Sequence, residues 1–241
     1  MNLIIDVGNT LVKFAVFNQG EIVYKNAIQT DQFDETIFKI KSHFNKIEKG
    51  IIASVGEASP NGFNFEKMEV PFLQLNHLLN FPFKNKYKTP KTLGVDRIAL
   101  VSSAAVKFPK SDVLIIDAGT CITYDFINKE NEYLGGAISP GLRLRYKSLN
   151  DFTVNLPLLS AQKPDSIIGG TTVDSIHSGV VYGITNEIKA SILNYQQQYP
   201  DLTVILTGGD GDFLSKQLKN GIFANSNFLL EGLNFILEHN T

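Results

Sequence analysis

A short run of residues occurs twice in this chain. Leu3-Ile4-Ile5-Asp6-Val7-Gly8 returns about half a chain later as Leu114-Ile115-Ile116-Asp117-Ala118-Gly119, and Val7 against Ala118 is the only difference. The residues after each copy are alike in kind. After the first come the apolar, β-branched segments Val12 to Phe17 and Glu21 to Ala27, joined by Asn18-Gln19-Gly20. After the second come Ile122 to Ile127 and Glu132 to Ile138, joined by Asn128-Lys129-Glu130-Asn131. Each half therefore reads as strand, tight loop, strand, turn, strand. Two copies at this spacing predict a duplicated domain. A solenoid would need shorter periods and more copies.

Helical patterns come after each meander. Asp31 to Ile47 places Phe33, Ile37, Ile40, Phe44 and Ile47 at helical spacing. Val95 to Phe108 puts Ile98, Val101 and Ala105 on one face, and Thr172 to Tyr199 is a long helical stretch that Pro200 stops. Phe213 to Leu218 and Phe228 to Glu238 complete the helices, and short strands are expected at Ile51 to Ser54, Phe72 to Leu75 and Thr203 to Leu206. Asn76 to Leu93, with Pro82 and Pro90, reads as a loop. This order predicts α/β domains with mixed sheets flanked by helices. The boundary is expected near Ser111, giving domains 1–111 and 112–241, with the last helix able to pack on the first domain.

Composition removes several function classes. Formal net charge is -2, and Lys and Arg form no stripe, so charge gives no reason to expect a nucleic-acid or membrane partner. No run approaches the roughly 18 apolar residues of a membrane span. A single cysteine, Cys121, forbids an intramolecular disulfide, and the first residues lack the basic and apolar regions of a leader. The expected place is the cytoplasm.

The repeated motif carries the chemistry. In Asp6-Val7-Gly8-Asn9-Thr10-Leu11-Val12-Lys13 an apolar strand ends on a carboxylate. Gly8 lets the backbone approach a ligand, Asn9 and Thr10 can donate to phosphate oxygens, and Lys13 can reach phosphate as a point charge. Asp6 can hold Mg²⁺ directly or through water. The plain alternative is a hairpin turn with local hydrogen bonds. The second copy, Asp117-Ala118-Gly119-Thr120, favours phosphate: two facing loops from duplicated domains would cradle a polyphosphate, and domain interfaces favour such sites.

Gly94-Val95-Asp96-Arg97 stands at the start of a helix. Taken alone, its Asp is read first as a cap for orphan amides and its Arg as a solvated side chain. Tyr87 alone is a loop aromatic, and Thr172 alone a helix cap. His43, His77, His177 and His239 show no metal-ligand spacing, and no Gly-x-x-x-x-Gly-Lys-Ser/Thr occurs.

Taken together, these motifs resemble a known family. Paired Asp-Gly loops on duplicated domains look like the actin, hexokinase and Hsp70 superfamily, with two RNase H-like domains. Asp6-Val7-Gly8-Asn9-Thr10 with Lys13, Gly94-Val95-Asp96-Arg97, Ile116-Asp117-Ala118-Gly119-Thr120, Gly170-Thr171-Thr172 with Ser178-Gly179, and Thr207-Gly208-Gly209 resemble, in order, the third type of bacterial pantothenate kinase. The resemblance implies phosphorylation of pantothenate by ATP with Mg²⁺, the first step of coenzyme A biosynthesis. It makes Asp96 the general base, and places Tyr87, Gly94, Val95, Asp96, Arg97 and Thr172 on the acceptor. It places Asp6 through Lys13 and Thr120 on ATP, and makes Asp117 the ligand of a monovalent cation, K⁺ or NH₄⁺. It also implies a homodimer in which Thr172 completes the partner's site. The alternatives are a kinase of the same superfamily for another hydroxyl compound, and a regulatory relative without catalysis.

Overall fold

The computed structural model describes residues 1–54, 68–218 and 221–241. The chain divides into two compact units, one formed by 1–109, 131–133 and 227–241, the other by 110–130 and 134–226.

In the first unit the opening apolar run is β1 (Asn2–Val7), followed by β2 (Val12–Asn18), β3 (Glu21–Ile28), α1 (Phe33–His43), β4 (Lys49–Ser54) and β5 (Phe72–Gln74). These strands form a sheet in the order β3-β2-β1-β4-β5, antiparallel from β3 to β1 and parallel from β1 to β5. Strand β1 is central and buried along its whole length, which is why its sequence is continuously apolar from Leu3 to Ile5, between the buried polar residues Asn2 and Asp6. Edge strand β3 alternates exposed and half-buried residues. Leu3, Ile5, Val7, Phe14 and Val16 pack with Phe33, Ile37 and Ile40 of α1 in one core. Helices α2 (Val95–Lys107) and α6 (Phe228–His239) pack on each other, and α6 also meets β1 and β4. Their crossing is close because Gly232 lacks a side chain: a Cβ there would stand 1.9 Å from the Ala99 carbonyl oxygen.

The second unit repeats the plan. β7 (Val113–Ala118), β8 (Cys121–Ile127), β9 (Glu132–Pro140), β10 (Thr203–Thr207) and β11 (Ile222–Ala224) take the order β11-β10-β7-β8-β9. Reversed, that is the order of the first sheet, with β7 in the place of β1 and β10 in the place of β4. Again the hairpin β7-β8 is antiparallel, and β7-β10-β11 is parallel. Helices α3 (Leu142–Asp151), α4 (Thr172–Gln198) and α5 (Gly211–Ser215) complete it. Ile116, Ile122 and Tyr124 pack with Tyr146 of α3 and with Ile176, Val180 and Ile184 of α4. The fold is α/β: mixed sheets flanked by helices, laid out twice along one chain.

Several expected boundaries move. The first helix ends at His43; Ile47 is buried from the loop beyond it. Residues 76–93 are not all loop, because β6 (Lys84–Asn85) pairs in parallel with Glu132 and Tyr133 at the start of β9, within the first unit. The last short helix begins at Gly211 and ends at Ser215. Helix α3 escapes a periodicity search because only Leu142 and Tyr146, one helical turn apart, are buried in it. Among the described residues, no helix is long and apolar enough to cross a membrane.

Candidate active site

The two Asp-Gly loops are built alike. In the first, Val7 pairs with Val12, and the Gly8 amide donates to the Leu11 carbonyl at 3.1 Å. In the second, Ala118 pairs with Ile122, and the Gly119 amide donates to the Cys121 carbonyl at 2.9 Å. Asn9, Thr10 and Thr120 are exposed at the loop tips. Val7 and Val12 are fully buried and pair with each other at the base of the loop. Leu11 is half-buried.

Asp6 and Lys13 face each other across the first hairpin. Lys13 Nζ donates to Asp6 Oδ2 at 3.3 Å; the lysine side chain is 41% exposed and that of the aspartate 5%. Burial pushes the Asp6 carboxyl above the ordinary carboxylate range, Lys13 opposes this by charge and hydrogen bond, and the charge of Asp96 pushes it further up. A carboxylate so crowded favours a bound cation, and its hard oxygens suit Mg²⁺ with water completing the shell. Among the described residues no group of three or more His, Cys, Asp or Glu side chains could hold a metal ion. A cation here would therefore rely on Asp6 together with phosphate oxygens and water.

Asp96 lies in the first turn of α2. It is not the cap: that position is Gly94, where a Cβ would stand 2.3 Å from Asp96 Oδ1 and would push that carboxylate out of its present place. Asp96 Oδ1 accepts from the Arg97 amide at 2.8 Å, and the half-buried carboxylate is held in place by that bond. Arg97 is buried, 5% exposed, and its guanidinium carbon stands 5.6 Å from the centroid of the Tyr87 ring. Asp6, Asp96, Arg97 and Tyr87 thus belong to one unit, and Asp6 and Asp96 are close enough to feel each other's charge.

In the second unit, Asp117 lies near the end of β7 between Thr123 and Thr207. The turn after β10 closes on it. Gly208 has φ +92°, and a Cβ there would stand 2.4 Å from Asp117 Oδ1. The Asp210 amide donates to the Ala118 carbonyl at 2.9 Å, and burial pushes the Asp210 carboxyl up. Thr207-Gly208-Gly209-Asp210 is legible in the sequence as a turn after a strand; its contact with Asp117 is not, because it arises from the pairing of β7 with β10. The carboxylate and carbonyl oxygens gathered here are donors a hard monovalent cation accepts.

Thr172 is not the helix cap that its sequence position suggests. The cap of α4 is Thr171, whose hydroxyl accepts from the Asp174 amide at 3.1 Å. Thr172 is exposed one residue later and lines a cavity of about 460 Å³ with Arg145, Ser148, Ser175 and aliphatic side chains of α3 and α4. Arg145 carries no sequence signal; it is fixed by Glu187, by the Ser139 hydroxyl at 3.0 Å and by the Pro140 carbonyl at 2.8 Å. Burial pushes the Glu187 carboxyl up. Hydrogen bonds from Arg145, Ser139 and Tyr124, with the Arg145 charge, outweigh it and hold that carboxyl below its ordinary range.

Residues 2–194 match the family model for type III pantothenate kinases. A type III pantothenate kinase of Christiangramia forsetii is 51% identical over 240 residues, covering 100% of this chain and 99% of the relative. One from Flavobacterium johnsoniae is 50% identical, covering 97% and 96%. Among solved structures, a glucokinase from an Antarctic psychrotroph superposes with a TM-score of 0.51 at 11% identity, covering 98% of each chain. That last likeness concerns the fold alone.

Proposed function

We propose that this chain, which belongs to the type III pantothenate kinase family, transfers the γ-phosphoryl group of ATP to the terminal hydroxyl of pantothenate, the first step of coenzyme A biosynthesis. The observation that carries the reading is Asp96, a carboxylate fixed by the Arg97 amide and close enough to act on the charge of Asp6. As the acceptor oxygen bonds to the γ-phosphorus, its proton passes to Asp96, and the bond from that phosphorus to the bridging oxygen breaks to leave ADP. Arg97 and Tyr87 hold the acceptor, with Gly94 and Val95 presenting backbone to it. The loop from Asp6 to Lys13, with Thr120 of the second loop, positions the phosphates. Asp6 would hold Mg²⁺ and Asp117 a monovalent cation, each neutralising phosphate charge. Phosphoryl transfer needs chiefly positioning and charge neutralisation, and these residues supply both. The duplication supports domains 1–111 and 112–241, each contributing one phosphate loop, except that 131–133 and the last helix group with the first.

Release of ADP that depends on pantothenate, in the presence of Mg·ATP and K⁺, tests the reaction. No ADP above background would overturn it, and ADP formed with another hydroxyl compound instead would move the chain to a different acceptor.

Two features support a homodimer completed by Thr172. The hydroxyl of Thr172 is not used as a cap. The segment before it also exposes Phe152, Val154, Leu158, Ile167 and Ile168, each more than 60% accessible. Exposed apolar runs of this kind mark interaction surfaces. Sedimentation is expected to give twice the mass of the chain; a single-chain mass at micromolar concentration would exclude the shared site.

A further inference from the structure

We infer that Tyr133 is a positioning residue: it fixes the ring of Tyr87, and through that ring the guanidinium of Arg97. The inference rests on the reading that places Tyr87 and Arg97 at the acceptor.

Tyr87 sits half-buried in a stretch whose neighbours, from Lys84 to Lys86 and from Lys88 to Lys91, are exposed. Such a segment has little packing of its own to hold an aromatic ring in one orientation. The start of β9 supplies it. The Lys84 amide donates to the Asn131 carbonyl at 2.8 Å and the Lys86 amide to the Tyr133 carbonyl at 2.9 Å. Asn131 Nδ2 donates to the Pro82 carbonyl at 2.7 Å, and Lys86 pairs with Glu132 at 3.5 Å. The Asn85 side chain in turn accepts from the Tyr87 amide at 2.9 Å, which turns the chain toward the site. All of these residues belong to the first unit.

The backbone is thereby set, and the ring is set with it. Tyr133 is fully buried and its ring is stacked with that of Tyr87, centroids 6.0 Å apart and planes at 25°. Phe83 meets the Tyr133 ring edge-on at 6.1 Å and 73°, and Phe81 stacks on Phe83 at 5.7 Å. The row runs Phe81, Phe83, Tyr133, Tyr87, Arg97. Only the last two are assigned to the acceptor; the others form a buttress behind them. A guanidinium over a fixed ring keeps its planar fork in one orientation, whereas over a swinging ring it does not. Loss of the Tyr133 ring should therefore cost acceptor binding before it costs chemistry.

The test uses the full chain with two variants and two readouts. Tyr133→Leu is expected to raise the acceptor KM about tenfold, the order of effect an aromatic pair carries. The KM for ATP should stay unchanged, and Tyr133→Phe, which keeps the ring, should restore the acceptor KM. Independently of turnover, the Arg97 Nε–H resonance, identified by its loss in Arg97→Lys, is expected to carry an upfield ring-current shift. That shift should collapse in Tyr133→Leu and persist in Tyr133→Phe. Should Tyr133→Leu not fold, Tyr133→His, with its smaller ring, is expected to give a partial collapse. An Arg97 resonance that does not move in the folded variant overturns the inference, as does an unchanged acceptor KM in an enzyme that turns over pantothenate. If the wild type does not turn over pantothenate but the resonance still collapses, the positioning stands and the choice of acceptor fails.

Discussion

Asp96→Asn is expected to lower kcat by ~10²–10⁴, the usual scale for losing a general base, while the protein keeps its fold. The two halves of that expectation come from different atoms. The structural duty of the Asp96 side chain is to accept from the Arg97 amide through Oδ1 at 2.8 Å. An asparagine oxygen can make the same bond, so the first turn of α2 stays intact and the melting temperature should barely move. What Asn lacks is a place for the acceptor's proton and a negative charge. The lost charge has a second consequence inside the same unit. Asp96 is one of the causes that push the Asp6 carboxyl up, so in the variant Asp6 should ionise more readily. The phosphate loop therefore loses nothing, and the KM for ATP should hold or fall slightly. Steady-state kinetics with pantothenate varied, then with ATP varied, separates these effects. Turnover within threefold of wild type would remove Asp96 from the role of base and leave it as a helix-start carboxylate, the reading its position alone suggests.

That ambiguity shows where the sequence is sufficient and where it is not. The doubled run ending in Asp6 and Asp117 can be read because a buried central strand must be continuously apolar and its end must be punctuated. Both sheets bear this out, with β1 and β7 in equivalent places. The pairing of Asp6 with Lys13 is within reach too, since a short hairpin loop sets which residues face each other. Other parts depend on contacts that are distant in sequence. Gly208 meets Asp117 only because β10 lies beside β7. Tyr133 meets Tyr87 only because two residues of β6 pair with the start of β9. Helix α3 has too few buried residues to show a period. At α4, Thr171 and Thr172 are chemically equivalent cap candidates, and the choice between them shows only in the extended backbone of Thr171 and the bond its hydroxyl accepts from the Asp174 amide.

Lys13→Met is the substitution expected to reach furthest, because the proposed function gives Lys13 a duty toward phosphate in addition to its pairing with Asp6. On the ligand side it removes the cation proposed to meet phosphate, and kcat/KM for ATP should fall ~10²–10³, the scale for losing one preorganised electrostatic donor. On the fold side it strips Asp6 of its partner. Burial raises the Asp6 carboxyl above its ordinary value, and Lys13 is the group that pulls it back. Without Lys13 the folded-state value climbs further. The native state then holds the Asp6 proton more tightly than the unfolded chain does. The stabilising contribution of that proton is fully present below the ordinary carboxylate range and is lost as pH rises through the folded value. The variant should therefore be weakest relative to wild type at neutral pH and recover toward pH ~4, where an ordinary aspartate protonates. Breaking a fully buried pair costs more, but the exposure of the lysine screens this one, so the loss at neutral pH should be about 1–3 kcal/mol. Urea midpoints across that pH range measure it. Adding Asp6→Asn to Lys13→Met removes the stranded carboxylate, so the double variant should regain stability at neutral pH without regaining activity. A midpoint deficit that is the same at every pH, or that the second substitution does not repair, would mean that Lys13 stabilises the hairpin through its hydrocarbon stem rather than through Asp6.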